Sequence, residues 1–369
     1  MRHDLDALQT ALVADVDAVI DTVGRETDPR ECFVRLGNAR LLAVHYPVAY
    51  GGRGLSLACH TAVSERIGMR GIPDVPHLVT VQAVGCPILT FGTDRQRERW
   101  LAPIASGRLL ASLLLSESDA GSDLTRITTV AVPDSEGWRL NGRKSWSMWT
   151  EWSGIGLCCA RTREGTNRYD GISLFIVDLS APGIAIERVN RAGAEPYYTV
   201  TFDDVRLDAD ALLGRLHRGW ALLPVIIGFE RGGFDYLTRA QTWLAAAEAT
   251  LRRLPADRQA DLAAGFAQRA FHVENARALS YHAAAAADGL EMDETTVSYA
   301  KLASGQAAQS VARWAGEELL PLGVQEDDDD MRALLGRAVA EAPELTVSGG
   351  ARELQLDLIS QDPAIGWTI

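Results

Sequence analysis

The chain has 369 residues, more than one ordinary hydrophobic core accommodates, so two or three packed units are expected. Hydrophobic residues make up 47% and charged residues 23%, the composition of a globular protein, which excludes intrinsic disorder and collagen-like repeats. With 36 Lys and Arg against 49 Asp and Glu the net charge is −13, and no basic patch segregates, which argues against nucleic acid as a partner.

From Asp4 to Ile20 the apolar residues Leu5, Leu8, Leu12, Val13, Val16 and Ile20 recur every three or four positions, the stripe of an amphipathic helix. Asp4, Asp6, Asp15, Asp17 and Asp21 interrupt the apolar segment a signal peptide would need, and no run of about 18 apolar residues exists, so a cytoplasmic protein is expected, neither exported nor membrane-spanning. A turn-rich loop, Tyr46 to Gly54, precedes helical patterns over Ser56–Arg70 and Thr80–Phe91. A further helix runs to Trp100, capped by Thr93 or Asp94. Residues 1–111 therefore read as a helical domain.

The periodicity changes after Leu113. Short β-rich runs at Thr128–Val132, Trp138–Leu140, Ile155–Ala160, Ile172–Val177, Ile184–Val189 and Thr199–Phe202 are separated by turn signals, among them Asn141-Gly142 and Pro182-Gly183. Their regular spacing predicts a compact antiparallel β-barrel or sandwich over residues 112–212. Cys158 and Cys159, adjacent on one strand, must face opposite ways, and with no CxxC pair the five cysteines read as reduced core thiols. Helical patterns return at Leu222–Leu251, Ala256–Gly289, Thr295–Leu320 and Met331–Ala340, so residues 213–369 read as a helical bundle.

Common catalytic signatures are missing: no GxGxxG after a strand, no GxxxxGK[ST], no HExxH and no GxSxG. The seven histidines show no metal-ligand spacing, and no metal site is expected. The distinctive stretch is Ser116 to Leu124, Ser-Glu-Ser-Asp-Ala-Gly-Ser-Asp-Leu. Its hydroxyls and glycine suit a concave nest of backbone donors for an anion such as a pyrophosphate, or equally a polar connector between domains. Asn141 to Ser147 then reads as a hairpin turn followed by an aromatic-bearing strand, whose Trp146 suits either a core position or the cover of a planar cofactor.

These segments resemble the acyl-CoA dehydrogenase superfamily. The matching motifs are Tyr50-Gly51-Gly52-Arg53-Gly54; Ser116-Glu117 with Ala120-Gly121-Ser122-Asp123; Gly137 to Trp146; Phe202 to Arg206; and Gly349-Gly350-Ala351-Arg352-Glu353-Leu354-Gln355, in the family's order. The resemblance implies an α+β multidomain fold of N-terminal helical domain, central antiparallel β-barrel and C-terminal helical bundle. It also implies FAD as cofactor, an acyl thioester as substrate, removal of the α-proton by a carboxylate, and hydride transfer to flavin N5. It assigns Leu114, Ser116, Gly121, Ser122, Trp146, Met148, Gly350 and Glu353 to the cofactor. Ser116 meets the flavin's pyrimidine edge, Gly121 and Ser122 its pyrophosphate, and Trp146 its ring, while Met148 stands where the family usually has a hydroxyl near N5. Many members carry the base just before the late glycines, where this chain has Ser348. A minority carry it in an early Glu-Arg pair, here Glu230-Arg231, so Glu230 is the expected base, with Glu353 and Asp235 the next acids.

Two family segments that help bind a neighbouring subunit's FAD are replaced, by Leu251 to Asp257 and by Glu317 to Gly323, which points to a homodimer. These departures resemble the FkbI-type dehydrogenases of methoxymalonyl extender-unit biosynthesis in antibiotic pathways, which act on a short hydroxyacyl group held by an acyl carrier protein. The resemblance also allows an ordinary short-chain acyl-CoA dehydrogenase or a flavin oxidase or monooxygenase of the same fold; a non-catalytic helical scaffold is the reading from another class. The electron acceptor is left open.

Overall fold

Helix α1 (Ala7–Asp21) starts where the Asp6 carboxylate accepts a hydrogen bond from the Gln9 N–H and the Gln9 Oε1 accepts one from the Asp6 N–H, a capping box that satisfies two N-terminal donors. In this computed structural model the described residues are 5–24, 27–164, 167–190, 193, 195–230, 234–287, 293–322 and 329–362. Helix α1 buries Leu12, Val16 and Ile20, and Asp17 on its outer side holds Arg66 and Arg70 of α3 (Leu57–Met69), each at 2.7 Å. Helix α2 (Pro29–Asn38) opens with Pro at its first position behind an Asp28 cap. Its ten residues left too few apolar repeats to stand out in the sequence.

The stretch expected as one helix from Thr80 is the second half of a longer rod. Helix α4 (Asp74–Leu78) passes through a wide π turn, Val79–Gly85, into α5 (Cys86–Phe91). Pro87 has no N–H to give the preceding turn, and the Tyr46 hydroxyl donates to the Val81 carbonyl at 2.7 Å, which supports the widened geometry. Helix α6 (Asp94–Ala105) is capped by Thr93, not Asp94. Its buried Gln96 donates to the carbonyls of Asp210 (2.7 Å) and Leu212 (3.0 Å), pinning the helix to the β layer.

The β layer comprises β1 (Ala111–Leu114), β2 (Val130–Asp134), β3 (Gly137–Met148), β4 (Ile155–Arg161), β5 (Ile172–Asp178), β6 (Ile184–Val189), β7 (Tyr197–Asp208) and β8 (Leu212–Leu213). These form one mixed sheet ordered β6-β7-β3-β2-β4-β5-β8, with β1 also on β4. The expected antiparallel barrel is corrected on two points. The sheet is open, because no hydrogen bonds join edge strand β6 to β8, and β4 pairs in parallel with both β1 and β2. Along β4, Leu157 and Cys159 pack against the helical side while Cys158 and Ala160 join the cluster of Phe175 and Leu140, so the two cysteines do face opposite ways. All five cysteines are free and buried.

Asn141-Gly142 is not a hairpin turn. Both lie inside β3, at a bulge where the β3–β7 register shifts between Leu140 and Gly142. Gly142 has φ 143°, and a Cβ there would fall 2.6 Å from the Thr129 Cα, so a side chain is excluded by the neighbouring strand.

The remaining helices are α7 (Leu223–Glu230), α8 (Phe234–Leu251), α9 (Ala256–Ala286), α10 (Glu294–Trp314), α11 (Asp329–Glu341) and α12 (Arg352–Ser360). Helix α10 is central, packing on α8, α9 and α12 through small residues such as Ala307, Ala308 and Ala312. A buried guanidinium joins the β layer to the C-terminal helices: Arg239 of α8 meets Asp235 at 3.0 Å, Glu195 of the β layer at 3.4 Å and Glu341 of α11 at 3.9 Å. Asp74 of α4 accepts from Thr238 beside it.

Candidate active site

A cavity of about 560 Å³ opens between the β layer and the C-terminal helices. Ser116, Gly121, Ser122, Trp146 and Met148 line its β wall; Ile227, Glu344, Ser348, Gly349 and Gly350 are on its helical wall. The structure thus brings six of the eight expected cofactor residues to one place.

The β wall is built on a buried ion pair. The Lys144 side chain is fully buried in β3 and its ammonium donates to Glu117 Oε1 and to the Leu115 carbonyl, both at 2.9 Å. The other acceptor positions of Glu117 take the N–H of Thr128 (2.7 Å) and Thr129 (2.9 Å). Burial works against the Glu117 charge, but the Lys144 ammonium and these hydrogen bonds outweigh it and hold the carboxyl down at about 2. Reciprocal backbone bonds between Glu117 and Ala120, at 2.9 and 3.2 Å, then close the loop into a tight reversal that presents Gly121 and Ser122 to solvent beyond it. The Ser145 N–H donates to the Ser116 carbonyl at 2.9 Å, locking the loop to β3.

The register of β3 on β7 shifts again between Lys144 and Ser147. At that bulge Trp146 takes φ 68°, a conformation costly for a bulky residue, and its indole is left 52% exposed on the cavity. A Trp turned outward by a strained bulge is not a core residue. Beyond the bulge, normal pairing resumes at Ser147 with Tyr198 and Met148 with Tyr197, which places Met148 at the cavity edge.

On the helical wall, Gly349 and Gly350 have φ 61° and 101°, a left-handed turn that carries the chain from Ser348 into α12. Leu114 does not reach the cavity: strand alternation buries it in the sheet core and turns Leu113 and Leu115 toward the site instead. Glu353 is exposed on the first turn of α12, and its neighbour Leu354 lines the cavity. Glu230 ends α7, and its side chain lies outside the described residues; Ile227 of the same helix lines the cavity. Asp235 is committed to Arg239.

Sequence reasoning did not single out Glu344, an acid on the cavity wall, or the pairing of Glu117 with Lys144. A lysine in the middle of an otherwise alternating strand was the available signal for the second. Among the described residues no cluster of His, Cys, Asp or Glu could hold a metal ion, and no helix is long and apolar enough to cross a membrane.

Comparison with known proteins follows this architecture. Residues 5–108, 112–205 and 219–362 match the N-terminal, middle and C-terminal domains of acyl-CoA dehydrogenase. The chain belongs to the acyl-CoA dehydrogenase family. Members of the family are FAD-dependent oxidoreductases acting on acyl thioesters. Acyl-CoA dehydrogenase IpdE1 of Mycobacterium tuberculosis is 35% identical over 199 residues, 54% of this chain and 52% of that protein. The chain spans about half the length of such curated relatives. Butyryl-CoA dehydrogenase of Megasphaera elsdenii superposes with TM-score 0.85 at 22% identity, covering 100% of both chains. The prolyl acyl carrier protein oxidase AnaB superposes with TM-score 0.83 at 19% identity, covering 99% of this chain and 100% of that one, and like the former shares the fold.

The residues present fit FAD on their own chemistry. A strained, outward-turned indole beside a small-residue loop suits a planar ring continued by a pyrophosphate, and Gly121 and Ser122 carry no bulky side chain beyond Ala120. Ser116, Gly121, Ser122, Trp146 and Met148 would hold it.

Proposed function

We propose that the chain is an FAD-dependent acyl-thioester dehydrogenase that oxidises a short acyl group carried on an acyl carrier protein, in polyketide extender-unit formation. The observation that carries the reading is Trp146, held at φ 68° with its indole exposed on a cavity whose opposite wall is helical. When bound, FAD supplies a two-electron acceptor. The β wall orients it through Trp146 and the Ser116–Ser122 loop, and the Glu117–Lys144 pair keeps that loop in place. Apolar Val79, Leu113, Leu115 and Ile227 exclude water from the thioester.

Glu230 takes the α-proton in this reading. Ile227, three residues earlier on helix α7, lines the cavity, which supports a base at the end of the same helix. A carrier-protein thioester needs only the pantetheine arm to enter, which agrees with the replaced segments at Leu251 to Asp257 and Glu317 to Gly323 and with the carrier-protein substrate named for AnaB. The same losses favour a homodimer.

The test is anaerobic flavin reduction with matched acyl-carrier-protein and acyl-CoA thioesters. Faster bleaching with the carrier-protein form supports the proposal; equal rates reduce it to an ordinary acyl-CoA dehydrogenase. Rapid oxygen consumption during turnover would make the protein an oxidase, and protein that stays colourless with added FAD would make it a scaffold.

A further inference from the structure

Beside the cavity the fold gathers arginines that the sequence keeps apart, on a chain whose net charge is −13. Arg126 closes the short turn Leu124–Arg126, and Leu124 lines the cavity with Gly121 and Ser122. Arg163 and Arg168 lie on the connection from β4 to β5, and Arg215 and Arg218 follow β8. All five are exposed, and among the described residues none is held in an ion pair. No basic run shows in the sequence because they come from three loops.

The three loops are tied into one surface. The Thr162 hydroxyl lies 2.8 Å from His217 Nδ1, and the His217 N–H donates to the Ser173 hydroxyl at 2.8 Å. The Arg161 guanidinium donates to the Thr125 carbonyl at 2.9 Å, and the Tyr169 and Trp220 rings meet at 4.9 Å. Asp123, its carboxyl held below the usual range first by Thr125 and then by Arg168 and Arg126, joins the first loop to the second. Asp123 and Glu164 are the exposed acids of these loops, two against five. Tyr169 and Leu216, 39% and 37% exposed, stand beside the arginines as apolar contacts.

Cations left without anionic partners, with apolar side chains among them, suit an acidic surface that arrives from outside. The cavity takes the thioester end of a substrate, and whatever carries the thioester stays at the rim. A pantetheine arm joins its carrier protein through a phosphodiester, on a small domain that is itself acidic. The charge of the chain repels such a domain over most of the surface, so an arginine face beside the cavity also fixes where it lands. The phosphates of CoA form a compact group, whereas guanidinium groups on three loops with Tyr169 and Leu216 match the broad face of a folded domain.

We propose that Arg126, Arg163, Arg168, Arg215 and Arg218, with Tyr169 and Leu216, form the docking surface for an acidic acyl carrier protein. The surface rests on the reading of the cavity as a carrier-protein thioester site and adds the place where the carrier sits.

The experiment uses the FAD-loaded protein and one acyl group on three carriers: a polyketide-synthase acyl carrier protein, CoA and free pantetheine. For the wild type, kcat/KM with the carrier-protein thioester should fall about tenfold as salt rises from about 0.05 to 0.5 M, while the uncharged pantetheine thioester changes little. The double variants Arg126→Glu with Arg168→Glu, and Arg215→Glu with Arg218→Glu, should each cut the carrier-protein value about tenfold or more and leave the pantetheine value unchanged. An unchanged carrier-protein value overturns the surface. So does an equal loss with the CoA thioester, which would make the arginines readers of phosphate alone, or a loss of FAD, which would assign them to the cofactor. If no thioester reduces the flavin, the dehydrogenase reading fails, and fluorescence anisotropy of a labelled holo carrier protein still decides the surface. Salt-sensitive binding that both double variants abolish supports it, and absent binding overturns it.

Discussion

Lys144 and Glu117 meet at 2.9 Å beneath the Ser116–Ser122 loop on the cavity's β wall, the lysine side chain wholly buried and the glutamate nearly so. Removing one partner leaves the other charge uncompensated in a low-dielectric site. Glu117→Gln is expected to destabilise the protein by about 3–5 kcal/mol and to release FAD, read by denaturant unfolding and by flavin absorbance after gel filtration. Full FAD retention in a stable variant would show that the pair does not shape the loop. Because the folded carboxyl lies at about 2, below its ordinary 4.5, its contribution is complete above about 4.5 and fades as pH falls toward 2.

Trp146 makes a contrasting case. Its indole is 52% exposed, so Trp146→Ala should move the unfolding midpoint little. The same change should raise the Kd for FAD about three- to tenfold, the worth of one aromatic stack. An unchanged Kd, measured by fluorescence titration, would remove Trp146 from the cofactor wall.

Glu230→Gln should keep FAD bound and abolish anaerobic bleaching by substrate. Bleaching at the wild-type rate would shift the proton to another acid, and Glu344 stands on the cavity wall to be tested next.

The N-terminal domain clusters His45, His60 and His77 at tilted and edge-on angles, with ring centroids 4.3 and 5.1 Å apart. The Nδ1 atoms of all three are buried without a hydrogen-bond partner among the described residues. Burial lowers His45 to about 3 and His77 to about 4, and burial with its two neighbours takes His60 well below the ordinary 6.5. The unfolded chain therefore binds more protons below 6.5, and stability should fall steadily from about pH 6.5 toward pH 4. Replacing His60 by Asn should flatten that slope in a urea-midpoint series against pH.

Asp74 carries the opposite sign. Burial raises its carboxyl to about 7 against the pull of Arg239, so its contribution is complete below 3.8 and lost as pH rises through 7. Asp74→Asn should gain stability relative to the wild type between pH 5 and 8; a pH-independent difference would mean that the carboxyl is ionised throughout.

The helix–β–helix order was legible because such patterns are local: 3.6-residue spacing before Ala105, a short continuous apolar run at Ile155–Arg161, and helical spacing again from Leu223. Most of the residues on the cavity's β wall were legible through their motif. What stayed hidden depends on partners remote in sequence. Asn141-Gly142 reads as a turn until Thr129 is known to lie 2.6 Å from where a Cβ would go, and the closure of a barrel is decided by edge strands that never show in a single run. Glu344 looked like any surface acid, because only the fold of α11 and α12 brings that segment opposite Trp146.

The two faces of the cavity come from stretches about two hundred residues apart, 113–148 and 340–354. The first of these, the proposed cofactor side, is braced by strand pairing and an ion pair, whereas the one facing it is a short turn hung between two helices. The turn over 343–348 can therefore be exchanged without disturbing the strand register or the Glu117–Lys144 pair on the opposite face.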